Sequence, residues 1–286
     1  LLDEVNKLGK LVEKAGVIDY TNKKQPLVSV CERGNGNEEL YNPLGVTADN
    51  KTGNIYIADA ENNCVKVFDS TAKYLFKFGD SKGESKMFYP RGLIIYGNRI
   101  LISLNHCIMN YQLDGKFISK VGEFGKGKLE FNTPRGIAID ELNGDIYICD
   151  LSNNRIQILS ENLHYKSQFG DDILTRPRDI KFNRDNIFIL DQTNPCLHIF
   201  NKGLVLQKNI ISRGERQQVM SPWFFFLDNS DNILISDNGS DSLHIFNYKY
   251  DCIHKISITS PTGITVDDKD RIIVVSHARD NCLQIF

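Results

Sequence analysis

Three arginines stand directly behind prolines: Arg91 after Pro90, Arg135 after Pro134 and Arg178 after Pro177. Arg176 lies just upstream of the last, and Arg155 falls between the second and the third. Aromatic residues flank the same kind of proline, as Tyr89, Phe131 and Trp223, and Arg279 sits in a polar stretch near the C terminus. A guanidinium is a permanent cation with a planar fork of donors that suits phosphate and carboxylate. Interleaved with rings, such forks could hold phosphates while the rings stack unpaired bases, as in single-stranded RNA recognition. The same loops could equally form a protein-recognition surface. A third reading is structural: the arginines directly after the prolines pair with aspartates that close neighbouring strands, such as Asp59, Asp150, Asp191 and Asp237, and so fasten adjacent blades.

Catalytic chemistry has less to stand on. The six histidines are His106, His164, His198, His244, His254 and His277, and only His106 and His277 are expected on one set of loops. Two histidines are an incomplete metal-ligand set. No G-x-S-x-G, phosphate loop or H-E-x-x-H occurs. We therefore expect no catalytic residue, no metal and no cofactor. The seven cysteines include no C-x-x-C pair and read as reduced, mostly buried thiols of a cytoplasmic protein.

The elements that carry these residues repeat six times. Copies begin at Pro43, Pro90, Pro134, Pro177, Pro222 and Pro261, separated by between 39 residues (Pro222 to Pro261) and 47 (Pro43 to Pro90). Each opens with an apolar strand such as Gly136-Ile137-Ala138-Ile139-Asp140. A turn and a second strand follow, as in Ile146-Tyr147-Ile148-Cys149-Asp150. After a polar loop comes a third strand that usually ends in Phe, as in Val65-Lys66-Val67-Phe68. Its alternation marks a half-buried strand. A fourth, outermost strand such as Tyr74-Leu75-Phe76-Lys77-Phe78 precedes the next proline.

The repeat is out of phase with the chain. The sixth copy stops after three strands at Phe286, while residues 27–31 form a spare fourth strand before Pro43. Pairing the two ends would remove two open sheet edges. The expected fold is an all-β, six-bladed β-propeller of four-stranded blades over residues 26–286, closed by strand 27–31. Residues 1–25 read as a separate segment: Leu1, Val5, Leu8 and Val12 recur at helical spacing, and a polar connector follows. That helix is either the tail of a coiled coil or a short amphipathic element.

Composition excludes little but guides the choice of partner. The chain is 41% apolar and 24% charged, with a formal net charge of −2, so nothing demands a polyanion. No apolar run reaches about 18 residues, and no membrane contact is expected.

The pattern P-x-G-[IV]-x-x-D, [IV]-Y-[IV]-x-D, N-N/H-R-[IV]-x-[IV]-F resembles the NHL repeat. It is most complete at Asn42 to Asp80 and at Pro134 to Gly170, with Asn153-Asn154-Arg155-Ile156-Gln157-Ile158. In particular the chain resembles the C-terminal propellers of TRIM-NHL proteins. The resemblance implies a non-catalytic, cytoplasmic recognition module that selects targets for a larger protein. That parent would be a ubiquitin ligase through N-terminal RING, B-box and coiled-coil domains. It also implies an alternative, an RNA-binding face; six-bladed lyases and lactonase-type metalloenzymes form a more distant one. The sequence departs from the family where the third strand begins: the usual arginine survives only as Arg155, with Cys at four copies and Ser242 at one. The expected partner is first a protein and second RNA, with no small-molecule substrate. The binding candidates are Arg91, Arg135, Arg178, Arg155, Arg176, Tyr89, Phe131, Trp223 and Arg279.

Overall fold

A computed structural model describes residues 18, 20–80, 82–193, 195–211, 219–277 and 281–286. Six four-stranded antiparallel sheets follow one another as blades. Blade one runs Pro43–Ala48, Ile55–Asp59, Cys64–Phe68 and Tyr74–Phe78; blade two runs Leu93–Tyr96, Arg99–Ser103, Ile108–Gln112 and Phe117–Val121. Blade three comprises Pro134–Asp140, Asp145–Asp150, Arg155–Leu159 and Tyr165–Phe169. Blade four comprises Pro177–Phe182, Asn186–Asp191, Cys196–Asn201 and Leu206–Ile210. Blade five is built of Pro222–Leu227, Ile233–Asp237, Ser242–Phe246 and Cys252–Ser257. Blade six takes Pro261–Val266, Ile272–Ser276 and Cys282–Ile285 from the C terminus and Val28–Cys31 from the N terminus.

The closing strand behaves as the phase of the repeat requires. Val28 to Cys31 pair antiparallel with Ile285 to Cys282, and the Leu27 amide donates to the Ile285 carbonyl at 2.6 Å. The expected helix within residues 1–15 lies outside the described residues. One expectation about the connector is corrected: Tyr20 is fully buried against blades five and six, and its hydroxyl donates to Asp228 Oδ2 at 2.9 Å. A phenol gains burial and a buried partner at once there, which outweighs the polarity of its neighbours.

The cysteine reading is also corrected. Cys64, Cys107, Cys149 and Cys196 are buried free thiols, but Cys282 is disulfide-bonded. Cysteines at equivalent positions of different blades are too far apart to bridge. Closure, however, brings the closing strand into blade six and sets the backbone of Cys31 directly opposite Cys282.

Apolar packing lies between blades. Six buried clusters each draw on two adjacent blades, from Phe68 with Val275 and Leu283 at the seam to Phe246 with Phe188 and Leu197 between blades four and five. The third-strand Phe68, Phe200 and Phe246 are fully buried plugs in these layers. Truncating any one to Ala would cost about 3–5 kcal/mol. The ring is thus held by consecutive sandwiches, and its inner strands surround a central channel.

Candidate ligand-binding face

The residue after each proline is re-aimed by a break in the ladder. The pairing of first and second strands shifts register just after Pro43, Pro134, Pro177, Pro222 and Pro261. Such bulges turn a side chain out of its regular alternation. Leu44, Arg91, Arg135, Arg178, Trp223 and Thr262 therefore occupy corresponding places around the channel mouth. Immediately beyond, inner strands of neighbouring blades nearly touch. A Cβ at Gly92 would stand 2.3 Å from the Arg135 carbonyl oxygen, so only glycine fits. Ser103 completes this junction: its hydroxyl accepts from the Gly92 amide at 2.9 Å and donates to the Arg135 carbonyl at 2.6 Å.

Loops of the same face are pinned by the aspartates that close the second strands. Asp59 accepts the Tyr41 amide at 2.7 Å and Asp150 the Asn132 amide at 2.8 Å. Asp191 accepts the Thr175 amide, and Asp237 the Ser221 amide, each at 2.7 Å. All four are fully buried. Loops between second and third strands then hold the next blade: Asn63 accepts from the Tyr89 amide at 2.9 Å, Asp241 from Ser260 at 2.8 Å and Asn281 from Asn42 at 2.7 Å. Tyr89 takes a left-handed backbone, φ 55°, which a bulky residue adopts only when its surroundings hold it there.

These bonds overturn the structural reading of the arginines. The four aspartates face loop amides, and among the described residues no ion pair involves Arg91, Arg135, Arg176 or Arg178. Arg178 is 2% exposed and Arg91 is 7% exposed, while Arg135 is half-buried. The Nε atoms of all three, and Nη2 of Arg178, are sealed from solvent without an acceptor among the described residues. Burial pushes Arg91 down to about 10; burial and the neighbouring Arg91 push Arg135 down to about 9. Arg178 is driven well below its ordinary value by burial and then by Arg135 and Arg176. All three remain cationic at neutral pH. Their stress is that of like charges gathered in a poorly hydrated place, where the adjacent Asp179, bonded through both oxygens to Lys181, offsets Arg178 only in part.

Aromatic rings stand in for the missing anions. The Arg178 guanidinium lies 3.8 Å from the Trp223 ring centre and that of Arg91 lies 4.9 Å from Tyr89. The Trp223 ring in turn packs against His277 at 5.0 Å, tilted by 45°, and His277 Nε2 is 3.1 Å from Asn238 Nδ2. Beside this stack opens a recess of about 580 Å³ lined by Arg33, Tyr41, Glu61, Trp223, Asn238 and His277, among others. Asn238 and His277 were not among the expected binding residues. Each directly follows its second strand; the repeat offset places His277 on this set of loops and could have found Asn238 in the same way. A separate concavity of about 370 Å³ lies near Phe88 and His106, with Phe88 and Phe124 exposed at its edge.

Other candidates take different places. Arg155 is 4% exposed and belongs to the framework. Its Nε binds Asp150 at 2.9 Å and its two Nη atoms donate to the carbonyls of Lys126, Gly127 and Glu130 and to Gln168. Lys66 does the same work in blade one, bonding Asp59 at 3.0 Å and the Gly36 and Glu39 carbonyls. Phe131 is in the core between blades two and three, as are Phe224 and Phe225 in theirs. Arg176 is exposed at the mouth, and Arg279 lies outside the described residues.

Deeper in the channel is a cavity of about 180 Å³ whose walls include Gly45, Gly92, Asp179 and Lys181. Lys181 Nζ bonds both Asp179 oxygens at 2.8 Å. Two histidine clusters superficially suggest hydrolytic triads. In blade five, Ser242 and Asp237 both lie on the Nε2 side of His244, at 2.8 and 3.5 Å, and Nδ1 has no partner. In blade four, Cys196 and Asp191 share Nε2 of His198, at 3.3 and 3.8 Å, while Nδ1 meets Asn209. A relay needs nucleophile and acid on opposite ring nitrogens, and neither cluster has that. Among the described residues, no group of three or more His, Cys, Asp and Glu could hold a metal.

Residues 40–68 and 131–159, the first three strands of blades one and three, match the model of the NHL repeat. The chain is a six-bladed propeller that carries NHL repeats. It resembles the C-terminal domains of TRIM-NHL proteins and is 29% identical over 157 residues to protein brain tumor of Drosophila melanogaster. That stretch is 52% of this chain and 14% of the fly protein. Among solved structures, a streptogramin B lyase superposes with TM-score 0.67 at 12% identity, covering 91% of this chain and 97% of that one. A nidogen/laminin complex gives TM-score 0.63 at 15% identity, covering 77% and 83%. A lyase and a nidogen/laminin complex share this propeller fold, so the fold alone does not choose between catalysis and binding.

Proposed function

We propose that this NHL propeller is a non-catalytic recognition module whose loop face docks a protein partner. The observation that carries the reading is the ring of Arg91, Arg135 and Arg178, held without carboxylate partners among the described residues beside an aromatic, mixed-charge recess. Pinned loops make this a rigid receptor, and rigidity lowers the cost of binding. Exposed Phe88 and Phe124 supply apolar area on the same side, and Glu61 in the recess disfavours a polyanion. By the TRIM-NHL resemblance, the module would select substrates for a ubiquitin ligase whose RING and B-box domains lie elsewhere in a longer chain.

A cytoplasmic setting belongs to the same reading and is supported by the four buried free thiols; the disulfide-bonded Cys282 opposes it. No described helix is long and apolar enough to cross a membrane. RNA is the second reading, favoured by the pairing of cations with rings at Arg178–Trp223 and Arg91–Tyr89.

A photoreactive residue at Glu61, on the loop face, and at Lys116, on the opposite face, tests the choice. Nuclease-resistant protein adducts from position 61 alone, abolished by the Arg91, Arg135, Arg178 triple alanine variant, are expected. Nuclease-sensitive adducts whose yield falls steeply with salt would instead establish the RNA reading.

A further inference from the structure

Resting on that reading, we propose that the channel mouth is a receptor for a single phosphomonoester group presented by the partner, a phosphorylated side chain of a protein segment. The three arginines hold the same position in consecutive blades, whose inner strands nearly touch there: a Cβ at Gly92 would stand 2.3 Å from the Arg135 carbonyl oxygen and one at Gly136 3.1 Å from that of Arg178. They are recessed: Nε and Nη2 of Arg178 are sealed beneath Trp223 and Nε of Arg91 beneath Tyr89, which leaves Nη1 of Arg178 and the Nη atoms of Arg91 to the end of a protruding group. Arg135, half-buried between the two, has its Nε sealed while its Nη atoms engage nothing among the described residues. Arg176 adds a fourth cation at the exposed rim.

Charge and shape select the ligand. A carboxylate brings one negative charge and two oxygens, leaving most of the gathered positive charge uncompensated. A phosphomonoester brings about −1.5 to −2 at neutral pH and three acceptor oxygens, one for each guanidinium. An internal phosphodiester has a single charge and two free oxygens, and its flanking sugars would have to enter the recess. The surroundings favour a peptide over a nucleic acid, because the recess mixes Arg33 with Glu61 and the whole chain carries −2. His277 and Asn238, joined to the stack through Trp223, are placed to bond peptide groups flanking the phosphate.

The chain's one tryptophan is Trp223, so its fluorescence reports on this site alone. The full chain is titrated in phosphate-free buffer with N-acetyl-phosphoserine amide, N-acetyl-glutamate amide, and 5′-phosphorylated and 5′-hydroxyl oligouridylates. The expected result is a saturable change with the phosphoserine probe, at least tenfold tighter than with the glutamate probe. Arg135→Gln should weaken it tenfold or more, whereas Arg184→Gln, on an exposed turn at the far end of blade four, should leave it unchanged. Arg176→Gln, at an exposed position where misfolding is not an issue, should weaken it by a smaller factor. Equal affinity for glutamate and phosphoserine overturns the proposal, as does an oligouridylate response that depends on Arg135 without a phosphoserine response. No response to any probe, with protein adducts at position 61 retained, sinks the phosphate pocket and spares the docking face.

Discussion

Two buried arginines of this propeller should respond to the same substitution with opposite signs. Arg155→Met removes a guanidinium that bonds Asp150, Gln168 and three loop carbonyls, and strands a fully buried carboxylate. Breaking such a pair from one side costs about 3–5 kcal/mol. Arg178→Met removes a guanidinium whose Nε and Nη2 have no acceptor, which relieves a desolvation penalty of about 1–3 kcal/mol. Loss of the contact with Trp223 offsets about 0.5–2 kcal/mol of that gain, and methionine keeps most of the packing. The net expectation is no loss and a gain of up to roughly 2 kcal/mol. With an unfolding entropy of about 2.1 cal/mol/K per residue, a chain of this size shifts its Tm by roughly 2 °C per kcal/mol. Scanning calorimetry in low-salt, phosphate-free buffer should therefore show Arg155→Met melting about 5–10 °C lower and Arg178→Met unchanged or up to about 4 °C higher. If Arg178→Met melts as low as Arg155→Met, Arg178 has a stabilising partner and the case for an unsatisfied cation at the mouth collapses.

Ser103→Ala should cost about 1–3 kcal/mol in chemical denaturation, because it orphans the Gly92 amide and the Arg135 carbonyl together. Stability should also peak near pH 6.5 for reasons traceable to two histidines. Burial opposes protonation of His198, but Asp191, Cys196 and Asn209 prevail and raise it to about 10, so its contribution is complete below 6.5 and lost as pH climbs through 10. Burial and then Lys255 hold His244 down to about 4, so its contribution is present above 6.5 and lost as pH falls towards 4. Urea midpoints measured across pH should lose the alkaline limb in His198→Asn and the acid limb in His244→Asn; unchanged limbs would contradict these assignments. Deleting residues 1–31 should expose the outer edge of Cys282–Ile285 and drive self-association visible by size-exclusion chromatography, whereas a monodisperse monomer would show that closure is dispensable.

Much of this architecture is legible from the chain alone, because each blade is a local hairpin meander repeated at a fixed offset. That offset identifies Pro43 to Pro261 as equivalent positions, puts Arg91, Arg135 and Arg178 at one level of one channel, and leaves residues 27–31 as the strand that completes blade six. It places His277 on the same loops and could equally have identified Asn238. Partner choice is a different matter, since it depends on side-chain direction between segments remote in sequence. Arg135 and Arg155 look alike as members of a basic set, yet one stands unpaired at the mouth and the other is locked into its neighbour's loop. Asp150 and Asp191 have the sequence positions of counter-ions for the post-proline arginines, yet their carboxylates face loop amides, and no ion pair to Arg91, Arg135 or Arg178 occurs among the described residues. The backbones of Cys31 and Cys282 stand opposite each other, and Tyr20 finds Asp228, only because closure joins the two ends of the chain. The repeat determined where the arginines stand; only the closed ring decided that they stand there unpaired, because burial and charge compensation are set by neighbouring blades.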